Sequence, residues 1–362
     1  FTGMASTITS TSGYFYDMGR ALVSMATWIP AAIIVSSLTT SITEAIASVA
    51  DFNQALKNLQ AISGGTDAEI KLLGDAILKI SETTKYSASE ISKGAVYIAQ
   101  AGFTAAESLA VIEAASLGAQ GTLEPLTTAA DLLTTVIRSF QLEASEASTI
   151  MDALAVAANG SKTNLEGMRT VFNYIGPSAK AAGASLNETL GAVMALSNAG
   201  IKMSTVGTSL RQIFIGLEKP SKSLRTALSA AGLTIDDLDI KSKGLVKVLE
   251  NLNTVVKGDL SNATAFFNVR ANNSVLVLSS LHKYVSLLID STKRYGVAQT
   301  MAATQLDTIT GKMSILSNRF KSMLITFSEG GITEIFKNFI SAITKVVDLL
   351  NYSFNNALVK TI

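Results

Sequence analysis

Cysteine is absent from the 362 residues, and histidine occurs once, at His282. Those two shortages exclude a disulfide framework, thiolate chemistry and a Cys/His zinc site. Charge is scarce too: 16% of residues carry it and the net balance is +1. So even a balance leaves no polybasic surface large enough to hold duplex DNA by counterion release. Aromatics make up 6% and proline occurs four times. What remains is an alanine-rich, 48% hydrophobic profile that leans towards helix. A chain of this length buries a sizeable core, and its size allows two or three domains. It starts at Phe1 rather than Met, as a piece of a longer product would.

From Asp51 to Pro220 the sequence alternates helix starts and helix stops. Thr66 with Glu69, Ser87 with Glu90, Thr104 with Glu107, Thr163 with Glu166 and Ser185 with Glu188 have capping-box spacing. In such a box the hydroxyl takes an orphan amide of the first turn and the glutamate reaches back to the cap amide. Gly64-Gly65, Gly102, Gly121, Gly160, Gly183 and Gly200 supply the stops. Between them run apolar stripes at helical spacing, such as Leu133, Val136, Ile137 and Phe140, or Leu165, Met168, Phe172 and Ile175. Stripes on consecutive short helices must face one another, which predicts an all-α, compact multi-helix bundle of short capped helices rather than one rod.

The clearest wording lies at Ala181 to Pro220. There the Ser185 box, the stripe Leu186, Leu190, Val193 and Met194, and the stop at Gly200 lead into a tight corner. Ser204 or Thr205 is placed to cap the next helix, whose Leu210, Ile213, Phe214 and Leu217 form its stripe before Pro220 ends it. The matching residues are Ala182-Gly183, the Ser185 to Glu188 box, Asn198 to Ile201, and Gly207-Thr208-Ser209-Leu210-Arg211 with Leu217 and Pro220 behind. On these the chain resembles the core domain of phage tail tape measure proteins of the TP901 type. The resemblance runs less sharply from about Asp51 to about Gly331; where the family usually has a small residue before the Gly-Thr, this chain has Val206.

Before this region, residues 21–43 are 23 uncharged residues in a row, enough at about 1.5 Å each to span a hydrocarbon core of roughly 30 Å. Leu22, Val23, Met25, Trp28, Ile29, Ile33, Ile34 and Val35 make it a candidate membrane-entering segment. Eight Ser or Thr residues and Pro30 argue instead for a buried or oligomer-contacting helix pair, and no charged leader or cleavage site marks a secretory signal. After Pro220, Ser221 to Ala231 and Gly244 to Val256 read as helices, and Ala263 to Leu288 as a longer one. Asp236, Asp237 and Asp239 form an acidic corner that lacks the glycine and distant glutamate of an EF-hand, so they read as helix caps. His282 reads as a surface or helix-end residue.

The last sixty or so residues are periodic at 3.5. Ala302, Leu306, Ile309, Met313, Leu316, Phe320, Met323 and Phe327 are spaced as an a/d seam, and Phe336, Phe339, Ile343, Val346 and Leu350 resume it after Gly330-Gly331. Two readings stand: packing of this coiled-coil-like seam onto the helical domain, or self-association. The expected divisions are residues 1–50 (arm and long apolar helix region), 51–235 (core domain), 236–296 (connecting helices) and 297–362 (heptad helices).

The resemblance implies a structural protein of a phage or prophage tail: inside the tail tube or tip, involved in tail assembly and length determination, and released at genome ejection. Its implied partners are further copies of itself (a homo-oligomer such as a trimer), tail tube and tail tip or baseplate proteins and tail assembly chaperones, with DNA near only in the tail lumen. The alternative is a membrane-active ejection module that inserts in the host inner membrane. Some tape measure proteins carry peptidoglycan-cleaving domains. Those need a Cys and His pair, a His-based zinc site or a glutamate in a sugar cleft, and here Glu69, Glu90, Glu107, Glu166 and Glu188 occupy capping positions. No catalytic role, cofactor or metal is therefore expected.

Overall fold

The computed structural model describes residues 49–329, and among them every regular element is helical. The candidate membrane-entering stretch at Leu22 to Val35 and the heptads after Gly331 lie outside the described residues. In chain order the helices are α1 (49–63), α2 (Asp67–Thr83), α3 (Ala88–Gln100), α4 (Ala105–Thr122), α5 (Leu126–Phe140), α6 (Ala147–Asn159), α7 (Leu165–Ala181) and α8 (Leu186–Asn198). They continue as α9 (Met203–Glu218), α10 (Lys222–Ala230), α11 (Ile240–Lys243), α12 (Leu245–Val256) and α13 (Leu260–Phe266). The last are α14 (Asn272–Ser280), α15 (His282–Ser291), α16 (Val297–Leu306) and α17 (Ile309–Glu329). The described residues divide into two compact units, 49–109 with 303–329, and 110–302.

In the first unit α2 is the central element. Its Ile77 and Leu78 are buried, α3 and α17 pack on it, and Phe52 and Leu56 of α1 lie over Gly74. Two polar contacts inside that apolar setting fix the register of α17. The Ser81 and Ser322 hydroxyls share a hydrogen bond of 2.7 Å, and the Asn318 amide donates to the carbonyl oxygens of Thr84 (3.1 Å) and Tyr86 (2.9 Å). A buried amide must find partners or forfeit its hydration, so a slip of α17 along α2 is penalised. The seam residues Leu316, Phe320 and Met323 are buried here, whereas Ile309 is 57% exposed and Leu306 and Met313 are half-buried.

The second unit is built around α7 and α8. The first packs on α5 and α9, the second on α15, α14 and α6. All four residues of each stripe expected on α5, α7 and α9 are buried, with Phe140 and Phe172 meeting at 6.0 Å between ring centres. Close approach is provided by glycine. At Gly191 an added Cβ would run into Ile289 of α15, and at Gly176 into Ser139 of α5.

Four boxes form as expected, at Thr66, Ser87, Thr104 and Ser185. The fifth is displaced by one residue. Asn164, not Thr163, caps α7 by accepting from Gly167 N at 2.9 Å, and Glu166 turns to Arg169 instead. Neither Gly121 nor Gly160 is a left-handed stop. Gly121 lies inside α4, where Met301 and the Ala298 carbonyl stand 2.8 and 3.1 Å from where its Cβ would be, and the helix ends one residue later at Thr122, with Leu123 at φ 61°. Gly160 has φ −89°. Helix α9 starts at Met203, ahead of Ser204 and Thr205, and the span Ala263 to Leu288 is broken into α13, α14 and α15. Pro177 sits inside α7, whose interior lacks that one amide.

Candidate functional site

The signature segment Ala181 to Pro220 becomes helices α8 and α9 with the turns before and between them; the two pack mainly on other helices, α15 and α7, rather than on each other, and the segment's distinctive residues are engaged in joining helices. Gly183 and Gly200 adopt φ of +80° and +85°. Each closes a paired bond pattern over the preceding helix: Ala184 N to Ala179 O with Gly183 N to Lys180 O, and Ile201 N to Leu196 O with Gly200 N to Ser197 O. Such a cap satisfies carbonyls at a helix end and needs a residue without Cβ at its centre. At Gly183 the space is occupied as well, since a Cβ would stand 2.7 Å from Lys241 Cβ.

Glu188 serves two helices. Its Oε2 accepts from Ser185 N (2.9 Å) and closes the box on α8, while Oε1 accepts from Leu245 N (2.7 Å) at the start of α12. One carboxylate thus answers the positive ends of two helices, its own and one that starts 57 residues beyond Glu188. Asn198 does the same for loops. Its Oδ1 accepts from Lys162 N at 3.0 Å, and its Nδ2 donates to Tyr284 Oη at 3.0 Å and to the Gly160 carbonyl at 3.4 Å. Gly207 lets α9 lie on Val171 and Tyr174 of α7, and the buried Ser209 hydroxyl accepts from Ser274 at 2.8 Å.

Two further ties have no signal in the sequence, because their partners are far apart along it. Asp152, 3% exposed on α6, accepts from Gly296 N (2.7 Å) and Ala298 N (2.8 Å) and so caps α16. Farther along α16, the buried Gln120 amide donates to Ala302 O at 3.0 Å. On α7, Arg169 grips Glu166 through Nε (2.9 Å) and Nη2 (2.5 Å) and reaches Asp131 of α5 through Nη1 (2.9 Å). Hydrogen bonds from Arg169 hold the Glu166 carboxyl below its ordinary range. The Thr66 amide lowers Glu69 in the same way.

The acidic corner resolves into caps. Asp237 accepts from Thr234 N at 2.9 Å, which lowers its carboxyl, and Asp239 accepts from Lys241 N at 3.1 Å at the start of α11. A groove of about 180 Å³ beside it is lined by Glu218, Asp236 and Asp239 with apolar neighbours. His282 opens α15, and its Nδ1 lies 2.9 Å from Ser279 O. Among the described residues no three His, Asp or Glu side chains gather as a metal site would require, and no helix is long and apolar enough to cross a membrane. The expected seam is divided: Leu316, Phe320 and Met323 face α2 and the first unit's core, Leu306, Ile309 and Met313 are more open, and Phe327 lies in the last turns of α17.

What this arrangement does is join helix ends and helix faces, and comparison with known proteins agrees with a structural part. The family model described as phage-related minor tail protein matches residues 74–267. The tape measure protein of Pneumococcus phage Dp-1 is 25% identical over 308 residues, covering 82% of this chain and 26% of that protein. The probable tape measure protein of Escherichia phage P2 is 27% identical over 204 residues, covering 56% of this chain and 25% of that protein. The chain therefore spans about a quarter of the length of these curated relatives. No solved structure matches it. With more than half of its residues inside the family model, from α2 to the end of α13, the chain belongs to the phage-related minor tail proteins, as a segment of the tape measure type.

Proposed function

We propose that this segment is a folded anchoring part of a tail tape measure protein, held in the tail tube or at the tail tip during assembly, with the length-setting done elsewhere in the longer protein. One observation carries the reading. In residues 110–302 short helices follow one another, pack face to face and bury their apolar stripes in one compact unit. A ruler works by extension, at about 1.5 Å of length per helical residue. A unit that spends more than ten helices on one core contributes little length for its residues. Capped ends and paired carboxylates suit a structural role, not a catalytic one. The test is in-frame deletion within 110–302 in the whole phage or prophage, with tail lengths measured by electron microscopy. Aborted tails, or tails of unchanged length, are expected; shortening in proportion to the deleted residues would overturn the reading.

In this role the chain meets further copies of itself, tube and tip or baseplate proteins and assembly chaperones, with DNA as a neighbour in the lumen, and it leaves at ejection. Self-association uses the more open part of the heptad seam, Leu306, Ile309 and Met313. The membrane-entering reading of Leu22 to Val35 rests on the 23 uncharged residues alone. Flotation of a peptide covering Arg20 to Glu44 with anionic liposomes tests it, and a peptide that stays at the bottom of the gradient removes it.

A further inference from the structure

The heptad positions pass from Ala302 through Leu306, Ile309, Met313, Leu316, Phe320 and Met323 without a break in phase. The backbone does not: α16 stops at Leu306 and α17 starts at Ile309. Neither intervening residue, Asp307 nor Thr308, is a proline or a glycine. Both are tolerated in helix interiors, so the sequence itself does not demand the interruption. Local contacts hold it. The Thr308 hydroxyl accepts from Gly311 N at 3.0 Å, and the Asp307 carboxylate pairs with Lys312 at 2.9 Å across two largely exposed side chains. The Leu306 backbone folds so close that a Cβ on Gly311 would stand 2.7 Å from both its Cα and its carbonyl oxygen. That approach exists only in the broken form, because residues five apart in one continuous helix are separated by a full turn and more.

We infer that residues 307–308 are a hinge at which α16 and α17 straighten into one helix, and that the straight form pairs with a second copy of this chain through Leu306, Ile309 and Met313. In the broken form these three stand at the interruption, Ile309 mostly exposed and the other two half-buried, with no common stripe. Straightening sets them on one stripe at the 3.5-residue period that two helices share in a supercoil. The exposed ion pair gives the broken form little protection, and a shared apolar seam repays the change only when a partner is present. Association and straightening are therefore coupled. The inference rests on the self-association reading above but not on the location in a tail.

Gly311 separates the two forms. Gly311→Ala places a methyl against the Leu306 backbone in the broken form and favours a helix interior, a shift of about five-fold or more towards the straight form. Ile309→Pro does the reverse, since proline is accepted at the first position of α17 but blocks a helix running through from α16; Ile309→Ala controls for the lost side chain. Solution mass by light scattering and amide exchange over residues 305–312 are read on the full chain. Gly311→Ala is expected to raise the mass at a given concentration and slow exchange in that peptide, while Ile309→Pro stays at the lowest mass and Ile309→Ala associates more than Ile309→Pro. Slowed exchange without added mass would sink the pairing and the self-association reading with it. Added mass without slowed exchange would sink the hinge alone. Destabilised Gly311→Ala with neither change, or Ile309→Pro associating as strongly as wild type, overturns the whole inference.

Discussion

At the scale of single residues, the atoms that matter most are carboxylate and amide oxygens facing helix starts. Glu188 caps α8 and α12 together. Glu188→Ala should therefore cost more than Ser185→Ala, by about 1 kcal/mol, in urea unfolding. Asn164, one residue past the expected box, is the cap that bonds. Asn164→Ala should lose about 1 kcal/mol, with Thr163→Ala within about 0.5 kcal/mol of wild type; the opposite order would restore Thr163 as the cap. The sequence pattern points to Thr163 because Glu166 completes its box, but Arg169, which also reaches Asp131, takes that glutamate. That competition also sets a pH response. The Glu166 carboxyl is lowered in the folded state, so its contribution is present above the ordinary carboxylate range and is lost as pH falls through the lowered value. Glu166→Gln is thus expected to lower the urea midpoint at pH 7 by more than it does at pH 3, and an equal loss at both would remove the ion pair from the account.

At the scale of elements, helix existence was legible and helix endings were less so. An apolar stripe is a property of one segment, and the stripes on α5, α7, α8 and α9 are all legible in the sequence. An ending depends on what arrives from elsewhere. Gly121 looks like a stop in α4 but is needed for the approach of α16, so the turn falls on Leu123, a side chain forced into the left-handed region. Gly121→Ala should cost about 1–3 kcal/mol through overpacking against Met301. Leu123→Gly should be neutral or stabilising by up to about 1 kcal/mol, since the exposed leucine offers little packing to lose. Thermal melts of the two variants give the sign of each. Asp152→Ala leaves the first amides of α16 without their buried acceptor, for a loss of about 1–3 kcal/mol and faster amide exchange at residues 296–301.

At the scale of the whole chain, the two units differ in how they are assembled. One is continuous, from 110 to 302, and the other joins residues up to 109 to those from 303 onward among the described residues. A fragment of residues 105–302, which keeps α4 entire, is expected to unfold in a single sigmoidal urea transition. A fragment ending at residue 109 lacks α17, uncovers Ile77 and Leu78 of α2, and should aggregate or melt without cooperativity. A non-cooperative 105–302 fragment would mean that its core is not self-sufficient.

By itself the sequence determined the helical class, four of the five caps, the faces to be buried and the tail-protein resemblance at Ala181 to Pro220. These are encoded within a few residues: a hydroxyl and a glutamate three apart, or apolar side chains at the period of one helix. Only the tertiary structure decided that Glu188 serves two helices, that Asp152 accepts from the Gly296 amide 144 residues later at the start of α16, and that a seam unbroken in the sequence is divided at Asp307 and Thr308. Each of those depends on which distant group arrives at a helix end, and a local pattern holds no record of it.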